Sequence, residues 1–462
     1  MKTIIGNQIR VKDPSEDLKE WCKKNLILAN PEYAKKQRMG FWTGDTPKVI
    51  RLFSVDGTDL VLPYGVMREI RKWVLESDDL VLDFPEVQEV DFGGEVPLYD
   101  YQEEAVVHMK FSYYGILQSP AGSGKTQMGL ALAQRIGNRT LWLTHTKDLL
   151  DQSMKRACQY FYAGDMGTIT EGEVNIGQTI TFATIQTMSR CDLFLMRDVW
   201  DTIIVDECHR VAGTPDAVTM FSHVLNNLRA RHKYGLSATV HRADGMIRAT
   251  TALLGQVVYQ VPDAAVADKI MKVEIHPRGT GTPLSYDCKN PDGTINYAKT
   301  ITYLTKAPFR YLMILNDLKD SSDHYNLILA ERVGYLHVLQ AELETYYPDE
   351  TVLIHGQTPK KEREQGLQDL RDGKKHFLFA TYQLAREGLD IPRLDRLFLV
   401  TPQKDYAVII QSIGRVARTF PGKKEAIVFD YVDNDPFTIR SFKKRLSHYR
   451  KAGAIICEEV TE

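Results

Sequence analysis

The sequence predicts an α/β protein in which two tandem parallel-sheet domains follow a small α+β domain. Three observations support this prediction. The chain has 462 residues, which is enough for about three domains. Beyond residue 98, short and nearly continuous apolar strands alternate with helical segments, as in parallel sheets that are covered on both faces. The alternation occurs in two blocks of similar size, and the first block contains a glycine-rich loop between a strand and a helix.

The composition is typical of a globular protein of the reducing cytoplasm. Hydrophobic residues make up 43% of the chain and charged residues 26%, and the net charge is −2. No apolar run reaches the roughly 18 residues that a membrane-spanning helix needs, and the N-terminus does not resemble a secretory signal, so no membrane partner is expected. The six cysteines are scattered without a C-x-x-C pair, which argues against a structural zinc site and against a disulfide framework.

Residues 1–74 are predicted to form a small α+β domain. Asp13 is placed to cap its first helix, and a proline follows at the first helical position. Two short strands, 49–54 and 60–62, flank a turn at Asp56-Gly57. The sequence therefore predicts a helix followed by a hairpin.

Basic and aromatic side chains alternate in residues 33–42 of this domain. They are Tyr33, Lys35, Lys36, Arg38, Phe41 and Trp42. Aromatic rings stack on bases and basic groups contact phosphates, so the segment is a candidate surface for duplex or branched DNA. The alternative is that the same aromatic residues form the core of the domain.

Two larger domains follow an acidic linker that we place at residues 75–98. The linker carries eight acidic residues and no Lys or Arg. The first large domain is predicted for residues 99–262, with strands at 115–119, 140–144, 179–184, 202–206 and 234–239. The second is predicted for residues 263–462, with strands at 326–330, 351–355, 376–381, 396–400 and 425–430.

A candidate phosphate-binding loop follows the first of these strands and precedes a predicted helix at 128–136. It has the sequence SPAGSGKT and comprises Ser119, Pro120, Ala121, Gly122, Ser123, Gly124, Lys125 and Thr126. Its glycines allow backbone N–H groups to point at phosphate oxygens, and the helix N-terminus adds positive potential. Lys125 is predicted to reach the β- and γ-phosphates of ATP, and Thr126 to bind Mg²⁺. A glycine turn with a surface lysine is the alternative.

Adjacent carboxylates end the strand at 202–206, in the sequence Asp206-Glu207-Cys208-His209. Phosphoryl transfer needs positioning and charge neutralisation, which two carboxylates beside a phosphate loop can supply. We expect Asp206 to hold Mg²⁺ and Glu207 to orient and deprotonate the attacking water. The alternative is a solvated acidic strand end.

Several short motifs occur in the same order as in the superfamily 2 helicases. The box from Asp206 to His209 resembles the Asp-Glu-x-His box of that family, and Tyr101-Gln102 resembles its adenine-reading glutamine motif. Further matches are Ser237-Ala238-Thr239, Thr381 with Arg386-Glu387-Gly388-Leu389-Asp390, and Gln411 to Arg418, which fits Q-x-x-G-R-x-x-R. The stretch GLSATVHRADGM is similar to the Rad25 and xeroderma-pigmentosum-B-like branch, and UvsW-type bacteriophage helicases belong to the same neighbourhood.

The resemblance implies two RecA-like domains of the P-loop NTPase class, with ATP and Mg²⁺ bound between them. The first domain would supply Gln102, the phosphate loop, Asp206, Glu207 and His209. The second would supply Gln411, Arg415 and Arg418, with Gly388 and Asp390 near the nucleotide. The Ser237-Ala238-Thr239 motif would link hydrolysis to domain movement. Taken alone, Arg415 and Arg418 are equally consistent with surface charges one helical turn apart.

The resemblance also implies that nucleic acid lies across the carboxyl ends of both sheets. Candidate backbone contacts are Thr144, His145, Thr184, Gln186 and Thr381. Their alternative role is to cap helices. The sequence therefore predicts an ATP-dependent DNA helicase or translocase that acts on duplex, forked or branched DNA, without an obligate protein partner. An RNA-dependent ATPase and an ATP-gated binding module without unwinding remain the alternatives.

Overall fold

The computed structural model describes residues 1–120, 122–212, 214–240, 245–266, 271–386, 389, 391–403 and 405–457. The chain divides into two compact units. The first is formed by Met1–Pro120 and Gly124–Ala265, and the second mainly by Val266–Glu462. Among the described residues, no helix combines the length and the apolar character that crossing a membrane requires.

The N-terminal part of the first unit is built on a mixed five-stranded sheet. Its elements are β1 (Lys2–Ile5), β2 (Gln8–Lys12), α1 (Glu16–Asn25), β3 (Ile27–Ala29), α2 (Pro31–Arg38), β4 (Val49–Arg51), β5 (Ser54–Asp56), β6 (Asp59–Pro63), α3 (Arg71–Leu75) and β7 (Asp79–Leu82). The strand order is β5-β6-β2-β1-β7, with β7 parallel to β1 and the other neighbours antiparallel. Strands β3 and β4 form a separate antiparallel pair.

Two local predictions in this region are wrong. Asp13 does not cap α1, because its backbone is left-handed, with φ at 49°, and the Ser15 hydroxyl accepts the Leu18 N–H instead. The single strand predicted at 49–54 is two strands: β4 pairs with β3, and β5 forms the expected hairpin with β6. The linker at residues 75–98 stays a prediction; β7 lies within this segment and pairs in parallel with β1.

The N-terminal sheet shares one hydrophobic core with the rest of the first unit. Buried side chains such as Leu62 and Trp73 belong to the same cluster as Ala249 and Ala252. The contact is close at Gly65, where a Cβ atom would lie 2.6 Å from the backbone oxygen of Ala252, so that only glycine fits. Polar contacts reinforce the packing: the Arg248 guanidinium donates to both carboxylate oxygens of Glu69, at 2.7 and 2.9 Å.

A parallel eight-stranded sheet forms the rest of the first unit. Its elements are α4 (Asp100–Lys110), β8 (Tyr114–Gln118), α5 (Lys125–Ile136), β9 (Thr140–Thr144), α6 (Lys147–Ala157), β10 (Met166–Thr170), β11 (Glu173–Asn175), β12 (Ile180–Thr184), α7 (Ile185–Met188), β13 (Thr202–Val205), α8 (Pro215–Asn227), β14 (His232–Ser237), α9 (Ile247–Leu254), β15 (Val257–Gln260) and α10 (Asp263–Val266). The order is β11-β10-β12-β9-β13-β14-β8-β15, and only β11 is antiparallel to its neighbour. The central strands β9, β12 and β13 are buried throughout, which explains their continuous apolar sequences.

The second unit contains a parallel seven-stranded sheet. Its elements are β16 (Val273–Gly279), α11 (Tyr297–Leu304), α12 (Pro308–Asp320), β17 (Asn326–Ala330), α13 (Val333–Tyr346), β18 (Thr351–Ile354), α14 (Lys360–Asp372), β19 (Phe377–Thr381), α15 (Tyr382–Arg386), β20 (Arg396–Leu399), α16 (Tyr406–Val416), β21 (Ala426–Val432), α17 (Pro436–Lys451) and β22 (Ile455–Ile456). The order is β18-β19-β17-β20-β21-β16-β22. The predicted α/β class with two tandem parallel sheets is thus confirmed.

Candidate functional site

The phosphate loop joins the end of β8 to the start of α5. Gly122 and Gly124 have φ values of 84° and 82°, and Gly124 is the residue that precedes the first turn of α5. A Cβ atom at Gly124 would lie 2.4 Å from the Gln102 side-chain nitrogen, so close packing and left-handed backbone both require glycine here. Ser119 is buried, and its N–H donates to the Ser237 carbonyl at 2.9 Å. Ala121 lies outside the described residues.

The Gln102 side chain packs against the phosphate loop at Gly124. The side chain is buried, its oxygen accepts the Tyr99 N–H at 3.0 Å, and its nitrogen faces Gly124. The amide therefore fixes the start of α4 against the start of α5. The adenine contact of Gln102 stays a prediction.

Asp206 follows the end of β13 and is almost completely buried, with 5% of its surface exposed. The Ser153 hydroxyl donates to one carboxylate oxygen at 3.3 Å, and the Glu207 N–H donates to the other at 2.9 Å. Burial raises the pKa of Asp206, the Glu207 carboxylate raises it further, and the Lys125 ammonium opposes both effects. A bound cation would favour the ionised form, so the carboxylate fits a metal-binding role.

Glu207 has a left-handed backbone, with φ at 47°. This conformation is uncommon for a residue with a side chain and is often found at functional sites. The Glu207 Oε2 lies 3.3 Å from the Nδ1 of His209. The backbone turn thus brings the second carboxylate of the motif against the histidine two residues later.

His209 connects the acidic motif to the end of β14. Its Nδ1 lies 3.1 Å from the Ser237 Oγ, and the Ser237 hydroxyl lies 2.7 Å from the Thr239 carbonyl, to which it donates. Because that hydroxyl proton is used, His209 is assigned the tautomer in which Nδ1–H donates to Ser237, and the Glu207 carboxylate lies beside the same nitrogen. His209, Ser237 and Thr239 therefore form one hydrogen-bonded chain, with Ala238 between its last two members. Residues 241–244 of the GLSATVHRADGM stretch lie outside the described residues.

The stretch from Gln411 to Arg418, called the arginine motif below, lies on α16 and just beyond it. Gln411 is buried on this helix, and the Arg415 Nε donates to the Ala385 carbonyl at 3.3 Å. Arg418 lies past the end of α16, so the two arginines are not successive turns of one helix. Gly388 and Asp390 lie outside the described residues.

The candidate nucleic-acid contacts of the first unit are brought together by the pairing of β9 with β12. Thr144 and Thr184 are register partners at the carboxyl ends of these strands. Their hydroxyls are used locally: Thr144 Oγ1 donates to the Thr146 carbonyl, and Thr184 Oγ1 contacts Thr187 Oγ1 at 3.1 Å. The Gln186 amide donates to the His145 carbonyl at 2.8 Å, and both residues are half-buried. Neither hydroxyl caps a helix, because the side-chain cap of α6 comes from Thr146 and Thr184 makes no side-chain cap hydrogen bond to α7. The contacts of both threonines with nucleic acid stay predictions.

Thr381 is the last residue of β19 and is half-buried. In register it pairs with Ala330, the last residue of β17, so it too ends a central strand. Its contact with nucleic acid stays a prediction.

The sequence analysis did not identify two polar groups of these sites, the buried Ser153 and the half-buried Lys423. Ser153 lies on α6 and contacts Asp206, and Lys423 donates to the carbonyl oxygens of Val416 and Arg418, within the arginine motif. Neither belongs to a recognisable motif. Ser153 carries only a weak sequence signal, a small polar residue on the apolar side of an amphipathic helix.

Two family models match the chain. The model described as type III restriction enzyme, res subunit, matches residues 95–242, and the helicase conserved C-terminal domain matches residues 310–420. Together the two matches span more than half of the chain. They include the phosphate loop, the Asp206 box and the motif that ends at Arg418.

Known proteins with similar sequences are also helicases or translocases by name. "Probable helicase D10" of Escherichia phage T5 is 25% identical over 459 residues, which are 98% of this chain and 95% of the relative. "DNA 3'-5' translocase XPB2" of Sulfurisphaera tokodaii is 24% identical over 421 residues, which are 82% of this chain and 91% of the relative. Both relatives agree with the resemblance to the xeroderma-type branch and to bacteriophage helicases.

A solved structure shares the fold. The structure of S. cerevisiae Dbp5 bound to RNA and ADP BeF3 aligns with a TM-score of 0.56 at 16% identity, over 86% of this chain and 93% of that one. The ordered motifs, the two family models and the shared fold lead to one conclusion. The chain belongs to the superfamily 2 helicases and is an ATP-hydrolysing helicase with two RecA-like units.

Proposed function

We propose that the protein is a DNA helicase or translocase that unwinds or remodels duplex, forked or branched DNA. The observation that carries this proposal is the hydrogen-bonded chain from His209 through Ser237 to Thr239. It connects the acidic motif that ends at His209 directly to the Ser237-Ala238-Thr239 motif at the end of β14. DNA is favoured over RNA because XPB2 of Sulfurisphaera tokodaii, which aligns over 91% of its own length, is named a DNA translocase.

The first unit offers a suitable place for ATP and Mg²⁺. The start of α5 presents backbone N–H groups and Lys125 to phosphate oxygens, and the Thr126 hydroxyl and Asp206 are the groups that would hold Mg²⁺. When bound, Mg²⁺ neutralises charge on the β- and γ-phosphates. Glu207, held in its left-handed conformation beside His209, orients the attacking water and accepts its proton.

We also propose that Gln411, Arg415 and Arg418 act on the same nucleotide during turnover. Arginine stabilises charge on the transferring phosphoryl group and raises the rate by about 10³ to 10⁵ in enzymes of this kind. Hydrolysis then removes the contacts of the γ-phosphate, and the protein takes its next step along the DNA.

The basic and aromatic residues 33–42 are proposed to contact DNA. Phe41 and Trp42 are 60% and 74% exposed, and no residue of α2 is buried, so these aromatic side chains do not form the core of the N-terminal sheet. Trp42 lies against Gly44, since a Cβ atom there would be 2.3 Å from the indole ring. An exposed ring in the same segment as Lys35 and Arg38 is suited to stacking on a base.

The test is ATP hydrolysis measured with forks, four-way junctions, blunt duplex, single strands and RNA. We expect strong stimulation by DNA, greatest with forked or branched substrates, and DNA-strand displacement that requires ATP. Glu207→Gln should lower kcat by about 10² to 10⁴ while ATP binding persists, because it removes the general base. Glu173→Gln, at an exposed position of β11, is the matched control.

Three results would overturn the proposal or redirect it. Stimulation by RNA alone would favour the RNA-dependent ATPase. ATP-dependent DNA binding without displacement or translocation would favour a binding module. Turnover that ignores every nucleic acid would contradict a motor function altogether.

A further inference from the structure

Three potential metal ligands of different chemical types meet at one edge of the second sheet. Glu274 and His276 lie on β16, and Cys457 directly follows the edge strand β22. One ligand atom from each side chain lies within 4.8 Å of the other two. This cluster belongs to none of the helicase motifs.

Strand geometry explains why the three side chains share a face. Glu274 and His276 are two residues apart, so they point to the same side of β16. The parallel register pairs Glu274 with Ile455 and Ile275 with Ile456, and the Cys457 N–H donates to the Ile275 carbonyl at 3.0 Å. This register continues to Cys457, which therefore stands beside His276.

The two distances to the Glu274 carboxylate are compatible with tetrahedral coordination of a single ion. The His276 Nε2 lies 3.4 Å from the Glu274 Oε2, and the Cys457 Sγ lies 3.5 Å from the same oxygen. Zinc bond lengths and a tetrahedral angle place nitrogen and oxygen ligands about 3.3 to 3.5 Å apart, and sulfur and oxygen ligands about 3.5 to 3.7 Å apart. Ordinary N–H···O hydrogen bonds are shorter, at about 2.7 to 3.2 Å.

We propose that Glu274, His276 and Cys457 bind one Zn²⁺ ion and leave a fourth coordination position to solvent. A thiolate, an imidazole and a carboxylate form a borderline-soft set that selects zinc over Mg²⁺ or Ca²⁺. The His276 ring packs on Phe429, with centroids 5.7 Å apart, which limits its rotation. All three side chains are at least partly exposed, so an ion can enter from solvent.

The metal would fasten the edge strand β22 to the inner strand β16. The sequence contains no C-x-x-C spacing that would indicate this site. Cys457 lies 183 residues beyond Glu274, and only the folded sheet brings the two side chains together. The expectation from sequence that no structural zinc site exists considered local spacing alone.

The test is metal binding to the full chain in reducing buffer with excess Mg²⁺, which occupies oxygen-only sites. Zn²⁺ is titrated by calorimetry, and Co²⁺ is followed by its thiolate charge-transfer absorption. We expect one Zn²⁺ per chain with proton release from the thiol, and a Co²⁺ band that Zn²⁺ displaces. Cys457→Ser and His276→Asn should each weaken binding by more than about tenfold, equivalent to about 1.4 kcal/mol.

Cys158→Ser is the matched control, because Cys158 is also exposed but lies outside the cluster. It should bind Zn²⁺ like the unaltered chain. Equal binding by the unaltered chain and by both cluster variants would overturn the proposal, as would a Co²⁺ band that persists in Cys457→Ser. Far-ultraviolet circular dichroism of each variant establishes that the fold is intact.

Discussion

The ammonium nitrogen of Lys423 lies 2.6 Å from the carbonyl oxygen of Val416, the last residue of α16. The same nitrogen donates to the carbonyls of Leu394 at 2.6 Å and Arg418 at 2.8 Å. Burial lowers the pKa of Lys423 to about 8. One half-buried lysine thus joins the end of the arginine-bearing helix to the loop before β20.

Lys423→Met should lower nucleic-acid-stimulated kcat by about ten- to a hundredfold, since a small misplacement of catalytic groups costs up to about 10²-fold. The KM for ATP should change little, because Lys125 and Thr126 belong to the first unit. The free energy of unfolding should fall by about 1 to 3 kcal/mol, because buried carbonyls lose their donor. Steady-state kinetics and urea denaturation measure these effects.

Lys424→Met is the control for this variant, because Lys424 is adjacent and exposed. It should retain both activity and stability. If Lys423→Met loses stability but keeps full kcat, the lysine has a structural role and does not position the arginine motif.

His209 and Ser237 should act as one unit in coupling. His209→Ala and Ser237→Ala are each expected to reduce strand displacement more than ATP hydrolysis, because the carboxylates remain while their link to β14 is removed. The double variant should be no worse than the more impaired single variant. The interaction energy from the double-mutant cycle should therefore be about 0.5 to 3 kcal/mol. Additive losses would show that the 3.1 Å contact carries no coupling.

The central strands could be predicted from sequence because burial on both faces makes them continuously apolar. β9 and β17 have the predicted limits. Edge strands such as β11 and β22 escaped prediction, because half or more of their side chains are exposed and no period distinguishes them from loops.

The phosphate loop and the acidic box were predictable because glycines and carboxylates at fixed spacing imply a specific chemistry. The hydrogen bonds that support them were not, because they depend on tertiary contacts. Ser153 reaches Asp206 from α6, and Lys423 reaches α16 from a turn. A lysine in a polar stretch looks like a surface residue, and only the fold shows where its ammonium group lies.

Trp42→Ala should weaken DNA binding by about 1 to 3 kcal/mol, the range for removal of one base–aromatic stacking interaction. Fluorescence anisotropy with labelled forked DNA measures the change. Phe111→Ala is the control, because Phe111 is 80% exposed but lies outside residues 33–42. Equal affinity of the unaltered chain and Trp42→Ala would remove the N-terminal segment from the proposed DNA-binding surface.

Replacing Lys35 and Arg38 together by Ala should make DNA binding less dependent on salt concentration. Each side chain that no longer neutralises a phosphate should reduce the slope of log K against log salt by about 0.9 for duplex DNA. The same anisotropy titration, repeated over a series of salt concentrations, measures the slope. An unchanged slope would place both side chains away from the DNA backbone.

Lys233 should make stability depend on pH. It is fully buried, and its ammonium nitrogen donates to the carbonyls of Asn7 at 3.0 Å and Leu225 at 2.7 Å. Burial lowers the pKa of Lys233 from 10.5 to about 7. Between these two pH values the unfolded chain holds a proton that the folded chain lacks, so the contribution of Lys233 to the free energy of unfolding rises with pH. Below about pH 7 both states are protonated and this dependence ends.

Urea denaturation at pH 7, 8 and 9 of the unaltered chain and of Lys233→Met measures this effect. The difference in free energy of unfolding between the two should change in favour of the unaltered chain as pH rises, by at most about 1.4 kcal/mol per pH unit. A difference that is independent of pH would mean that Lys233 stays protonated in the folded protein.

The close approach of Gly65 to Ala252 and the shared hydrophobic core hold the N-terminal sheet in one position within the first unit. A chain beginning at residue 75 would expose the apolar surfaces of α8 and α9 to water and would be prone to aggregate. A domain from another protein could replace the sheet only if its apolar surface had the same shape and if it placed a glycine opposite Ala252. Exchanging the N-terminal sheet for that of a relative therefore requires matched changes in Val218, Met246 and Ala249, which belong to the same hydrophobic core.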